Sequence, residues 1–459
     1  MPYLKIVLLF ISLARLRYCF SQQINSTSQN CTVVEPVYQW VWRPDRITGS
    51  YRWEIVCVNC TTSGQDDGTN NFHPPNRTIP INSYISDPVR DSRLIVRSSK
   101  PFNGETPVEL LSKSYYTPNE IFYVRNNHPV PVVDVEDYHL CITGIGVTPT
   151  NLTLSQLKAS FARKTITSVL QCAGSRRAEM DDLRPVAGTK WGGGAVGNAF
   201  WTGADFKSVL AYASFDLRNY PNLANIHVQF EGLDHDPVTL KRYGASIPVK
   251  YLLDGNFEPL LAYEMNGSPL PRDHGFPLRI ILPGIVGVRS VKWLWKVTIS
   301  DHESDTPYQK EKYKAFSPSI LSTTVTKTNY ERTLPIYDLP VTSYITSHKD
   351  GGSVQRGLGL VTGYAYSGGG RFIQRVEVST DRGDTWIEAE IGPDLTKKWL
   401  KSWTWVLWHA TMAFVPGWQE VWVKAVDDGN NQQPQEIKSV WNFEGYLTNT
   451  YHKIVLYGN

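Results

Sequence analysis

Short stretches of alternating apolar and polar residues dominate the C-terminal third of this chain. Phe372 to Ser379 alternates, Asp381-Arg382-Gly383-Asp384 supplies a turn, and Thr385 to Ala389 resumes the strand. Trp403 to Trp408 and Glu420 to Val426 read as further strands, the latter ending at the turn Asp427-Asp428-Gly429-Asn430. Strands this short and closely spaced predict an all-β, immunoglobulin-like sandwich over residues 319–459, without the cysteine pair of antibody domains. Residues 86–318 mix periods. Strands are expected at Ile121 to Arg125, Tyr138 to Ile145, Ile166 to Leu170, Asn225 to Gly232 and Ile280 to Pro283. Helices are expected at Thr106 to Leu111, Thr153 to Phe161 with Thr153 as N-cap, and Gly203 to Ala213. The pattern is that of an α+β domain followed by a β-sandwich.

Upstream the texture differs. Lys5 precedes the apolar run Ile6 to Ala14, too short to cross a bilayer, so residues 1–21 read as a signal or targeting segment. Asn-x-Ser/Thr sequons at Asn25, Asn30, Asn59, Asn76, Asn151 and Asn266 favour a glycoprotein on the secretory or extracellular route. Arg15 and Arg17 behind the apolar run leave a mitochondrial presequence, and the intermembrane space, as the alternative. Residues 22–85 are a loop-rich appendage with room for a small β element, and a disulfide among Cys31, Cys57 and Cys60 is expected there.

A net charge of +3 with no basic run excludes nucleic acid as a partner. Chemistry concentrates elsewhere. Cys172 follows an apolar run and precedes Arg176 and Arg177, and nearby cationic charge favours a thiolate. A buried inert cysteine is the competing reading, since free Cys is among the most buried residue types. Trp191 to Gly197 contains a nominal dinucleotide glycine pattern. It lacks the preceding strand and is set aside. Arg272, His274, Arg279, Arg289 and Lys292 gather donors on Gly/Pro-rich loops, equipment for a phosphate or another oxyanion; a solvated basic face is the alternative.

Longer motifs then carry a resemblance. Tyr123-Val124-Arg125-Asn126, Leu170-Gln171-Cys172-Ala173-Gly174, Tyr243 to Pro248, Ala262 to Arg279, Val291 to Leu294, Phe316 to Ser319, Gly368 to Arg371 and Lys424 to Gly429 occur in order. From about Asp87 onward the chain resembles the eukaryotic sulfite oxidases. The resemblance implies a molybdenum-cofactor (molybdopterin) domain followed by an immunoglobulin-like dimerisation domain, and a homodimer. It makes Cys172 the metal ligand, in keeping with the affinity of soft thiolates for certain transition metals. Cofactor contacts would come from Tyr123, Val124, Arg125, Asn126, Asn127, Asp234, His274, Arg279, Ser290, Val291 and Lys292. A sulfite pocket would use Arg125, Arg177, Trp191 and Tyr313, and electrons would pass to oxygen or an external acceptor.

Two positions depart from the family pattern. Its loop reads Arg-Asn-His, whereas here Asn127 takes the third place and His128 follows. Val406 stands where an anion-binding arginine is expected. The related plant nitrate reductases also lack that arginine, which keeps a nitrate-reductase-like activity as an alternative. The animal enzymes carry a cytochrome-b-type domain ahead of this region, and no haem is expected in this chain. A secreted, cofactor-free pseudoenzyme acting as a binding protein is the remaining alternative, because the cofactor is made in the cytosol.

Overall fold

The computed structural model describes residues 83–219, 225–395 and 401–459, together with the backbone of strands 38–44 and 51–57. Within residues 1–70, a unit of its own, Tyr38–Pro44 and Tyr51–Cys57 pair as an antiparallel hairpin, the β element expected in the appendage. The targeting segment, the four sequons before residue 80 and the cysteine pairing lie outside the described residues.

In the second unit, two sheets build the α+β part. One runs in the order Arg242–Pro248, His227–His235, Leu294–Ser300, His139–Gly144, Thr150–Thr153, parallel only between Leu294–Ser300 and His139–Gly144. The other runs Ser268–Pro269, Leu260–Met265, Val196–Asp205, Arg163–Gln171, with Arg279–Ile281 also on Leu260–Met265. The helices between them are short. Thr153 caps Leu154–Ser160 as expected: its hydroxyl accepts the Gln156 N–H at 3.1 Å and the Gln156 side chain returns a bond to the Thr153 N–H.

The helix expected from Gly203 instead begins at Phe206, because Asp205 accepts the Ser208 N–H at 2.9 Å and caps it there. Gly203 belongs to the strand before it. A Cβ at Gly203 would stand 1.9 Å from the Leu261 carbonyl oxygen, so only glycine lets these strands approach.

The C-terminal part consists of two mainly antiparallel sheets. One orders Thr342–Ile345, Gly357–Tyr366, Val406–Phe414, Glu390–Ile391; the other orders Gly352–Val354, His452–Gly458, Gly417–Asp427, Ile373–Ser379, Ile387–Glu388. Val361, Val376, Val378, Val406, Trp408, Val421, Val423, Ile454 and Leu456 fill the space between them. Trp403 to Trp405 precede the strand rather than open it. Trp405 packs with Tyr364 and Tyr366 into the core of the α+β part, so the two halves share one apolar core. The sandwich reading holds from Thr342 onward, with tryptophans at the seam as well as inside, whereas Lys327–Arg332 ahead of it is a short helix capped by Thr326.

Candidate active site around Cys172

Strand Arg163–Gln171 delivers Cys172 to a tight loop. The Cys172 N–H donates to the Ala195 carbonyl at 2.9 Å, and its own carbonyl accepts the Ser175 N–H at 3.0 Å. Arg176, at φ 62°, turns the chain into helix Arg177–Leu183. Its guanidinium is buried and bridges Glu179 to the Thr450 and Tyr451 carbonyls. The C-terminal half thus fastens the cysteine loop from outside. The thiol is free and largely buried.

One cleft opens at this thiol, with aromatic, basic and polar side chains converging on its wall. Of the expected cofactor and substrate residues, Tyr123, Arg125, Asn127, Cys172, Asp234, His274, Arg279, Ser290, Val291, Lys292 and Tyr313 line it. Asn126 stands behind the wall, its side chain accepting from the Lys292 ammonium and donating to Asp273 at 2.9 Å. Val124 is buried between Leu94 and Phe102.

Arg177 and Trp191 are not in the lining. The Arg177 guanidinium lies 5.0 Å from the Tyr446 ring centroid, bonded to the carbonyls of Gly445 (3.3 Å) and Thr189 (3.0 Å). Tyr446 in turn packs at a tilt, 5.2 Å between ring centroids, on Tyr313, which does line the cleft. Trp191 packs in the same apolar cluster as Cys172.

The cleft is cationic and its donors are held under strong desolvation. Burial pushes the Lys292 ammonium down to about 7, the Arg279 guanidinium down to about 10 and the His274 imidazole down to about 4. Arg279 spends its terminal nitrogens on the His274 and Ser290 carbonyls, both at 2.9 Å, while its buried Nε has no partner. Asp234 bonds His128 through Oδ2 at 3.1 Å, and its buried Oδ1 also has no partner.

Orphaned buried polar atoms are expensive, and these two sit on the wall of one cleft. They fit a ligand that carries an anionic group for Arg279 and Lys292 and a hydrogen-bond donor for Asp234. A metal beside the thiol would need ligands from outside the chain, since among the described residues no cluster of three His, Cys, Asp or Glu side chains is placed to hold one. The molybdopterin that the family resemblance implies, with a phosphate and metal-binding sulfurs of its own, would meet all three demands.

Family models place this geometry. Residues 127–308 match the oxidoreductase molybdopterin-binding domain and residues 333–458 the Mo-co oxidoreductase dimerisation domain. The mitochondrial sulfite oxidase of Homo sapiens is 45% identical over 393 residues, covering 84% of this chain and 70% of that one. The chain belongs to the sulfite oxidase family. The sulfite oxidase of Arabidopsis thaliana is 39% identical over 382 residues, 81% of this chain and 96% of its own. Nitrate reductase [NADH] 2 of Phaseolus vulgaris is more distant, 33% identical over 77% of this chain and 41% of its own. The sulfane dehydrogenase SoxCD of Paracoccus pantotrophus shares the fold, with a TM-score of 0.64, 22% identity and coverage of 85% and 92%.

Val406 does not stand in the pocket: it points into the interior of the C-terminal sandwich, buried with Val361 and Val376. Strand alternation explains this, since Val406, Trp408 and Ala410 share the inward face. The groups that hold Arg177 went unread in the sequence. Gly445 and Tyr446 hold Arg177, and the buried Glu444 brings a carboxylate beside Tyr446, its Oε1 4.0 Å from Lys312 Nζ. No local pattern marks them, because they arrive from 268 residues downstream.

Proposed function

We propose that this protein binds the molybdenum cofactor in the Cys172 cleft and oxidises sulfite to sulfate. The observation that carries the reading is a free thiol on the wall of a desolvated cationic cleft whose Asp234 and Arg279 each keep one buried polar atom unpaired. Cys172 would ligate the metal, Arg279 and Lys292 would hold the phosphate, and Asp234 would accept from the pterin ring. When bound, the cofactor supplies the two-electron couple and the oxygen atom that sulfite acquires.

The chain's own residues then bind and orient the anion. Arg125 is fixed by Asn103 Oδ1 at 3.1 Å and Asn127 Oδ1 at 2.7 Å, so its cation is pre-aimed rather than recruited. Asn127 therefore has a role of its own where the family loop carries histidine: it orients this guanidinium. Arg177 stands behind the lining: it backs Tyr446 and through it Tyr313, and its cation adds to the positive field at the anion. Trp191 closes the apolar side of the same cluster and keeps water out.

Pairing through the C-terminal sandwich gives a homodimer, and electrons leave to oxygen or an external acceptor without a haem in this chain. The sequons and apolar N-terminal run support a secretory or extracellular location. Metal analysis with steady-state assays tests the reading. Molybdenum stoichiometric with the chain and sulfite-dependent reduction of ferricyanide are expected, with no turnover of nitrate from an artificial donor. A metal-free dimer from its native source would instead favour a binding role.

A further inference from the structure

Behind Asp234 a hydrogen-bonded line runs outward from the cleft. His128 is buried and bonded on both sides: Nδ1 to Asp234 Oδ2 at 3.1 Å, Nε2 to the Tyr308 hydroxyl at 2.7 Å. With Asp234 ionised, Nδ1–H donates inward and Nε2 accepts the Tyr308 O–H. Tyr308, on the short helix Pro307–Lys310, is partly exposed, so the line joins the cleft wall to the surface. Burial first, then Tyr313 and Asp234, pushes the Tyr308 phenol up, so it stays protonated and hands on its proton only by taking another.

We propose that Tyr308, His128 and Asp234 form a proton port that neutralises charge gained by the cleft. The inference rests on the proposed redox function. When two electrons enter the cleft, the added negative charge attracts a proton to the nearest buried base that can reach solvent. The Tyr308 O–H bond breaks as His128 Nε2–H forms, and water returns a proton to the phenolic oxygen. The imidazolium, held to the Asp234 carboxylate, then carries the compensating charge. When the electrons leave, Nε2 gives its proton back along the same path. His128 is neither oxidised nor reduced; one proton moves in with reduction and out with oxidation.

The surroundings permit this. Facing His128 are Asp234 and His235 from one strand, Asp236 from the turn after it, Tyr243 from the neighbouring strand at 6.4 Å and Tyr308 at 5.5 Å between rings. Burial pushes the neighbouring His235 imidazole down, towards its neutral form. A buried pair close to the cleft couples strongly to charge inside it, because the local dielectric is low.

The test is potentiometric, on holoenzyme whose molybdenum content has been measured. In wild type the midpoint potential should fall as pH rises, by the slope of one proton per two electrons. His128→Gln keeps a donor for Asp234 but takes up no proton, and its slope should flatten while molybdenum content is retained. Tyr308→Phe should keep the equilibrium slope and slow the pH-jump relaxation of the potential at least tenfold. A His128→Gln slope equal to wild type, or an unchanged relaxation in Tyr308→Phe, would overturn the port. Loss of sulfite-reducible molybdenum in wild type would instead count against the proposed function.

Discussion

The N–H of Leu447 donates 2.8 Å to the carbonyl of Ala173, the residue beside the cysteine. A strand-rich domain at the far end of the chain thereby holds the loop that presents the thiol. Arg176 adds bonds to Thr450 and Tyr451, and the Tyr366 hydroxyl donates to Gln171 Oε1. The position of Cys172 is a property of both halves together.

Arg176→Ala should therefore loosen the cysteine loop and weaken the fold. A buried guanidinium bonded to two carbonyls and a carboxylate is lost, at about 1.5–3 kcal/mol for hydrogen bonds to a charged group. Chemical unfolding should show the loss, and the cofactor-free variant should react faster with a thiol reagent at Cys172.

Arg177→Met should raise KM for sulfite several-fold, because Tyr446 and Tyr313 lose the cation that backs them. Steady-state kinetics with molybdenum content normalised would show it. An unchanged KM would remove Arg177 from the substrate end.

Glu444 works in the opposite direction. Its carboxylate and Arg177 act on the same Tyr446 hydroxyl with opposite sign, after burial as the main influence. Glu444→Gln should lower KM for sulfite several-fold, with little dependence on ionic strength, because a buried charge is screened little by salt.

Lys292 sets a pH dependence of the cofactor-free protein. Its ammonium is pushed down to about 7 by burial, whereas an unfolded lysine titrates near 10.4. Between these values the unfolded chain binds the extra proton, so stability attributable to this site rises with pH. Relative to Lys292→Met, wild type should gain stability from pH 7 to about 10 in chemical unfolding. Binding a phosphate there restores the charged form, and calorimetry in buffers of different ionisation enthalpy should detect proton uptake above pH 7.

The sequons separate by structure. Asn151 is exposed on Thr150–Thr153. Asn266 accepts the Phe200 N–H at 3.1 Å and donates to Thr117 and Asn119, both at 2.9 Å, so its amide is engaged in the fold. Peptide mapping from a secretory host should find glycan on Asn151 and none on Asn266.

What the sequence revealed followed the range of its signals. Thr153 with Gln156, Asp427 with the turn after it, and the alternation of 373–379 are local, and each reads off neighbouring residues. The cysteine and the cationic cluster were legible as chemistry, and a family resemblance joined them. The helix at 203 was misplaced because a strand residue, Asp205, doubles as its cap. Val406 and the Gly445–Tyr446 clasp were not legible. Which face of a strand turns inward, and which distant loop closes on Arg177, are decided by packing across 268 residues of chain.

Cys172→Ser tests the central claim most directly, measured as molybdenum content together with sulfite-dependent ferricyanide reduction beside wild type. The expected result is wild type with molybdenum stoichiometric to the chain and active on sulfite, and a folded variant with no turnover. A Cys172→Ser protein that oxidises sulfite at the wild-type rate would contradict the assignment.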